Sequence, residues 1–277
     1  MPELPEIEVI RRSLSSHLVG RRVCRIVCSR RRLRQPVPRA GLQQLVENHR
    51  IILVDRRAKY LLIRMSSGAT LSIHLGMSGR LELFSSGAPR TKHDHLRFLL
   101  DNETELRFND SRRFGAVQVM DPRRNQEAAL FAEIGPEPLE PGFSPEYLIR
   151  RAKGRTRPIK NFLMDHRVVA GIGNIYANEI LFAAGVHPGT PAGTLKPEAW
   201  GKLLHACRWV LSQAIDCGGT TIADFANGVG EAGAFQSELK VYDRQGEPCV
   251  VCAGTILRAV QAGRASYYCP ACQQPPE

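Results

Sequence analysis

Residues Arg157 to Glu179 read RPIKNFLMDHRVVAGIGNIYANE. Within them, Gly171-Ile172-Gly173-Asn174 allows two tight backbone turns just before a helix that begins at about Asn174. Helix-turn-helix elements with glycine turns present backbone N–H groups and a positive dipole end to phosphate. Gly-x-Gly-Asn alone suits a plain interhelical turn equally well. Lys160 upstream and Tyr176 downstream, on a basic background, add weight to a phosphate-binding reading.

That background extends over the whole chain. Among 277 residues, Lys plus Arg number 38 and Asp plus Glu 27, a formal charge of +11. Arginines cluster at Arg30-Arg31-Arg32, Arg112-Arg113 and Arg150-Arg151. An excess of this size favours a polyanionic partner, most often nucleic acid. With 6% aromatic residues, phosphate tracking on a duplex is favoured over a stacking surface for single strands. The hydrophobic fraction of 43% suits ordinary globular cores, and the length suggests about two domains.

Helical periodicity surrounds the glycine turns, in segments near 145–153, 159–166, 174–184 and 196–216. Upstream, Pro122, Pro136, Pro138, Pro141 and Pro145 mark a hinge-like linker. From Arg22 to Met120 the period is two: Leu71, Ile73 and Leu75 alternate with Ser72 and His74. This predicts an antiparallel sandwich or barrel of about a hundred residues. Ile7, Ile10, Leu14 and Leu18 predict one amphipathic helix over 5–19. Residues 217–236 hold five glycines and little apolar periodicity, so a mobile loop is expected there. The fold class is α+β: a β-sandwich domain over 1–121, a linker over 122–145, a helical domain over 146–236 and a hairpin over 237–277.

The tail carries the most specific chemical signal. Cys249-x2-Cys252 and Cys269-x2-Cys272, sixteen residues apart, have the spacing of a four-thiolate zinc ribbon. Four thiolates leave no open ligand position, so the zinc is structural. Metal binding on the order of 10 kcal/mol would fold a tail too small to hold itself. The hairpin between the pairs carries Arg258 and Arg264. Cys24, Cys28, Cys207 and Cys217 lie among apolar residues and read as buried thiols. The first twenty residues are charged and lack the apolar core of a secretory signal. The least polar long stretch, Val168 to Val186, is interrupted by Asn174, Asn178 and Glu179 and cannot span a membrane. A cytoplasmic protein in a reducing compartment is expected.

The chain opens Met1-Pro2-Glu3-Leu4-Pro5-Glu6. Removing Met1 would leave Pro2 as a free secondary amine beside a carboxylate. An α-amino group titrates near pH ~8 against ~10.4 for lysine, so far more of it is neutral and nucleophilic at neutral pH. Its attack on an aldehyde carbon gives an iminium ion, an electron sink for elimination. The same residues also suit an ordinary helix leader, because proline is common in the first turn.

MPELPEIE at the start, GIGNIYANE in the middle and the four-cysteine hairpin with AGR at the end resemble formamidopyrimidine-DNA glycosylase. That family belongs with endonuclease VIII among the helix-two-turn-helix base-excision enzymes. The resemblance covers essentially the whole chain in order. It implies a β-sandwich flanked by helices, then a helix-two-turn-helix domain with a zinc hairpin, and damaged duplex DNA across the cleft between them. It implies a monomer with one structural Zn2+ and no redox cofactor, which excises oxidised purines and cuts the strand by β,δ-elimination.

It also implies roles residue by residue. Pro2 would be the Schiff-base nucleophile, Glu3 the acid that assists sugar ring opening and Glu6 a supporting acid. Lys59 would assist elimination, and Arg264 would grip phosphate during the second elimination. Met77, Arg112 and Phe114 would fill the void left by the everted base. His74, His93, Arg155, Lys160, Asn174 and Tyr176 would hold the bent DNA backbone. The segment Ala226 to Glu231 would close over that base. Ala253-Gly254-Thr255 and Ser111 depart from the family pattern without altering ligand spacing. Two rival readings are an endonuclease VIII-type enzyme for oxidised pyrimidines, opposed by Leu4, Met77 and the Arg112–Phe114 pair, and a non-catalytic damage-binding protein.

Overall fold

The computed structural model describes residues 2–220, 227–230 and 233–275. Its contacts group into two compact units, one of residues 1–132 with 217–236 and one of 133–216 with 237–277.

The first unit begins with helix α1 (Leu4–Leu18), whose apolar residues Leu4, Ile7, Ile10, Leu14 and Leu18 are all buried. Strands β1 (Val23–Cys28), β2 (Ile51–Arg57), β3 (Tyr60–Met65), β4 (Thr70–His74), β5 (Gly79–Ser85), β6 (Asp94–Leu100), β7 (Thr104–Asp110) and β8 (Ala116–Met120) follow. They form two four-stranded sheets, ordered β1-β6-β7-β5 and β2-β3-β4-β8. Every pairing is antiparallel. Ile51, Val54, Leu61 and Ile63 from one sheet share a single core with Leu81, Leu96, Phe98 and Phe108 from the other. The period-two pattern thus produces the expected sandwich, because alternate side chains of both sheets turn inward. Helix α1 is clamped to the sheet by Glu8, which accepts from Arg11 at 2.7 Å and from Arg56 of β2 at 3.2 Å. Burial works against the Glu8 charge, but Arg11, Arg56 and Arg12 hold it below the usual carboxylate range.

Two short helices, α2 (Arg39–Leu45) and α3 (Gln126–Phe131), were not legible in the sequence pattern. With seven and six residues, they are too short to develop a helical period.

In the second unit, α4 (Pro145–Ala152) starts where Ser144 accepts from the Tyr147 N–H at 3.2 Å, with proline in the first turn. Helices α5 (Ile159–Leu163), α6 (Asn174–Ala183) and α7 (Pro197–Asp216) follow. Gly171 turns the chain with φ of +81°, and α6 begins at Asn174 as expected. Residues Ile175 to Phe182 are all buried, which makes α6 the central helix of this unit. Phe162 and Trp200 pack edge to face, with ring centroids 5.8 Å apart. Strands β9 (Leu257–Gln261) and β10 (Arg264–Tyr268) close the tail as an antiparallel hairpin.

The contact grouping differs from the four-part division drawn on the sequence. The segment expected as a linker belongs partly to the second unit, where Gly135 N–H donates to His166 O and Ala170 N–H to Pro136 O. Residues 217–236 belong with the sandwich. Thr220 N–H donates to Glu6, Gly228 N–H to Ser13 Oγ, and Leu83 N–H to Gly228 O. These bonds join positions up to 215 residues apart, which no local pattern encodes. Part of the expected mobile loop, including Ala226 and Glu231, lies outside the described residues. No helix among the described residues is long and apolar enough to cross a membrane.

Candidate functional site

In the first unit, the chemistry gathers at the start of α1. Glu3 is its N-cap, with the peptide extended at φ −106° and ψ −167°. Glu3 and Glu6 form a reciprocal capping box: the Glu3 carboxylate accepts from the Glu6 N–H, and Glu6 Oε2 accepts from the Glu3 N–H at 2.7 Å. Glu6 Oε1 accepts in addition from Thr220 N–H at 2.9 Å. Both carboxylates are buried, at 2% exposure each. The Glu3 N–H belongs to the peptide joining Pro2 to Glu3, so Glu6 fixes the direction in which the half-buried Pro2 leaves the helix. Thr220 had no signal in the sequence, because it contributes only its backbone.

Lys59 sits in the turn between β2 and β3, half-buried, after Ala58 in the left-handed region at φ +52°. Its charge reaches His74 at the end of β4. Burial first, then the charges of Lys59 and Arg34, push the His74 imidazole down to about 4. The neutral ring stacks obliquely on Tyr60 at 4.8 Å, and its Nδ1 accepts from Gly76 N–H at 3.1 Å. That bond leaves the Nε2 hydrogen free to donate. At neutral pH the His74 ring is therefore an uncharged hydrogen-bond donor. Arg34 was missed as a contributor because it lies in a loop with no periodic signal.

Met77 and Phe114 are both exposed, at 46% and 44%. The Arg112 guanidinium carbon lies 4.8 Å from the Phe114 ring centroid. The structure thus brings Arg112 and Phe114 together at one surface. His93 is half-buried just before β6.

In the second unit, Arg264 is exposed at the start of β10. Ala262 and Gly263 both have positive φ, +48° and +73°, the geometry of a two-residue type I′ hairpin turn. The turn sets Arg264 opposite Gln261. Arg155 is exposed in the loop after α4. Asn174 opens α6, and its buried Oδ1 has no hydrogen-bond partner among the described residues.

Lys160 and Tyr176 depart from expectation: they are 1% and 0% exposed. The Lys160 ammonium donates to Ala265 O and to Ser266 Oγ, the latter at 2.9 Å. It pins strand β10, and so Arg264, from inside. A buried cation demands such partners, and sequence spacing did not reveal that they lie 105 residues away. Asn178 adds a second tie, accepting from Tyr267 N–H at 2.8 Å. Glu179 accepts from the N–H groups of Lys240, Val241 and Tyr242 at 2.8–3.0 Å.

The Sγ atoms of Cys249, Cys252, Cys269 and Cys272 all lie within 4.8 Å of one another. Tetrahedral zinc with Zn–S bonds of ~2.3 Å separates its sulfurs by about 3.8 Å. The Cys249–Cys272 and Cys252–Cys269 separations are 3.9 and 3.4 Å, so the four thiols fit zinc.

Fold and site define a DNA-processing protein of the helix-two-turn-helix, zinc-finger class. Residues 1–117 match the formamidopyrimidine-DNA glycosylase N-terminal domain, and residues 134–226 that family's H2TH domain. Residues 246–275 match the zinc finger found in FPG and IleRS. Formamidopyrimidine-DNA glycosylase of Stutzerimonas stutzeri is 48% identical over 99% of this chain and all of its own length. That of Hahella chejuensis is 45% identical with the same coverage. Among solved structures, Lactococcus lactis Fpg with abasic-site DNA superposes with a TM-score of 0.89 at 32% identity, covering 98% of this chain and 99% of that one. MutM (FPG) of Thermus thermophilus gives 0.86 at 37% identity, with both chains fully covered. The chain belongs to the formamidopyrimidine-DNA glycosylase family.

Proposed function

We propose that this protein is a bifunctional DNA glycosylase and abasic-site lyase of base excision repair, acting on oxidised purines in duplex DNA. The observation that carries the reading is the start of α1: a prolyl residue whose exit from the helix is fixed by two buried carboxylates. Full-length similarity to the named glycosylases supports it.

Neutral Pro2 nitrogen, exposed by removal of Met1, bonds to the sugar C1′ as the glycosidic bond breaks and the base leaves with its electron pair. Glu3 takes the proton that the Pro2 nitrogen releases on bonding and gives it to the ring oxygen; the sugar opens and an iminium forms. Loss of a C2′ proton then expels the 3′ phosphate, and a second elimination expels the 5′ phosphate. Lys59, half-buried beside His74, stands as the cation assisting the first elimination, and Arg264 the second. Met77, Arg112 and Phe114 occupy the space vacated by the base, with Arg112 donating to the orphaned cytosine. His74, His93, Arg155 and Asn174 hold backbone phosphates, which position the protein without reading sequence. Lys160 and Tyr176 act from beneath that surface. Zinc, held by the four cysteines, supplies no catalysis; it fixes the hairpin that carries Arg264.

Borohydride trapping tests the reaction. A covalent adduct with abasic DNA is expected from protein whose intact mass shows Met1 removed. Retained Met1 should lower trapping by at least about 10³-fold, as loss of a nucleophile does. Equal trapping with Met1 present would sink the assignment of Pro2. Competition between 8-oxoguanine and thymine glycol duplexes separates the purine reading from a pyrimidine-directed one.

A further inference from the structure

Asp110, the last residue of β7, has no exposed surface and takes no part in the reaction proposed above. Its carboxylate is divided between two loops. Oδ1 accepts from the Ser78 hydroxyl at 2.6 Å, and Oδ2 accepts from Gly115 N–H at 2.8 Å. Ser78 Oγ in turn accepts from Arg112 N–H at 3.1 Å. Asp110 thus ties the turn carrying Met77 to the loop carrying Arg112 and Phe114.

The remaining groups of Asp110 are anchored as firmly. Its N–H donates to His93 O at 3.1 Å, and its carbonyl accepts from His95 Nε2 at 2.9 Å. His95 is itself buried, and its Nδ1 accepts from Ser29 Oγ at 3.0 Å. The latch is therefore built on the sandwich rather than on another loop.

Two features show that the loops are held and not merely adjacent. A Cβ on Gly76 would lie 2.5 Å from the Phe114 carbonyl carbon and 2.6 Å from Gly115 N, so the backbones touch. Arg113 adopts the left-handed region at φ +59°, a strained conformation that persists only where surroundings over-determine it.

We infer that Asp110, acting through Ser78, is the positioning residue that holds Met77, Arg112 and Phe114 in the register needed to replace an everted base. The inference rests on the proposed glycosylase reading. An asparagine at 110 keeps the volume but exchanges one acceptor oxygen for an N–H donor, so the charge-assisted bond from the Ser78 hydroxyl is lost and that loop is held more weakly. The wedge should then lose alignment while the amine at α1 keeps its own supports.

Two duplexes separate these effects: 8-oxoguanine opposite cytosine, which must be everted, and a preformed abasic site, which has no base to evert. Single-turnover base release is measured on the first and borohydride trapping on the second. In Asp110→Asn and in Ser78→Ala, base release should fall about tenfold or more relative to trapping. Discrimination between cytosine and adenine opposite the lesion should narrow with it. Ser67→Ala removes a hydrogen bond to Leu45 O at the other end of β4 from the Met77 turn and should leave the ratio unchanged. Parallel loss of both rates, or no loss in either variant, overturns the inference. If Asp110→Asn fails to melt cooperatively, Ser78→Ala alone decides. Absence of trapping by the wild-type protein defeats the glycosylase reading instead, and is seen before any variant is made.

Discussion

The start of α1 and the tip of the β9–β10 hairpin each present one group at the end of an element, and opposite means hold them there. Pro2 is aimed by carboxylates: the Glu3–Glu6 box and the bond from Thr220. Arg264 is aimed by cysteines and a buried lysine, on a hairpin whose core is Phe182, Val241, Ile256, Tyr267 and the metal thiols. The first unit has a core shared by both sheets and α1, and its site stands at the start of that helix. The hairpin has too few apolar side chains to order itself. The amine and the assisting cation proposed above should therefore fail under different conditions.

Zinc removal should give the largest effect. Cys252→Ser, or prolonged chelation, removes binding on the order of 10 kcal/mol and should unfold the tail. DNA binding in gel shifts should be lost, while the sandwich keeps its own melting transition. Loss of both transitions together would break the contrast.

Glu6→Gln probes the other side at smaller cost. Two N–H groups converge on the carboxylate, and an amide offers only one oxygen, so one buried donor is orphaned at about 1–3 kcal/mol. Thermal melting should shift down without any change in zinc content.

The last effect is proton-linked and absent at neutral pH. The folded-state pKa of His74 is about 4, below its ordinary 6.5. The unfolded chain therefore binds this proton first as pH falls. The stability linked to neutral His74 is present above pH ~6.5, declines as pH falls towards 4, and is lost below it, at most about 3 kcal/mol. His74→Gln should flatten denaturant midpoints across that window. It should also leave the salt dependence of DNA affinity unchanged, whereas Arg264→Ala should lower its slope by about one.

Much of this was legible in order of locality. Helix α6 begins at Asn174 and α1 ends at Leu18, close to where glycine turns and apolar spacing put them. The strand period gave a sandwich, and cysteine spacing gave a site that closes to metal-binding distance. The roles proposed for Lys59 and Arg264 came from family resemblance, since a surface cation carries no signature of its own, whereas Met1-Pro2-Glu3 suggested an amine nucleophile to which the resemblance gave a target. Lys160 shows the limit: a lysine beside a glycine turn reads as a phosphate ligand until its partners on β10 are seen.

By itself the sequence determined the longer elements and the zinc ligands, because periodicity, turns and short ligand spacings act over a few residues. Tertiary structure alone decided that Lys160 lies inside, that residues 217–236 join the sandwich, and that Asp110 binds two loops at once. Each of the last depends on a buried polar group finding a partner distant in the chain. The cost of leaving such a group unpaired selects that partner, and nothing local in the sequence names it.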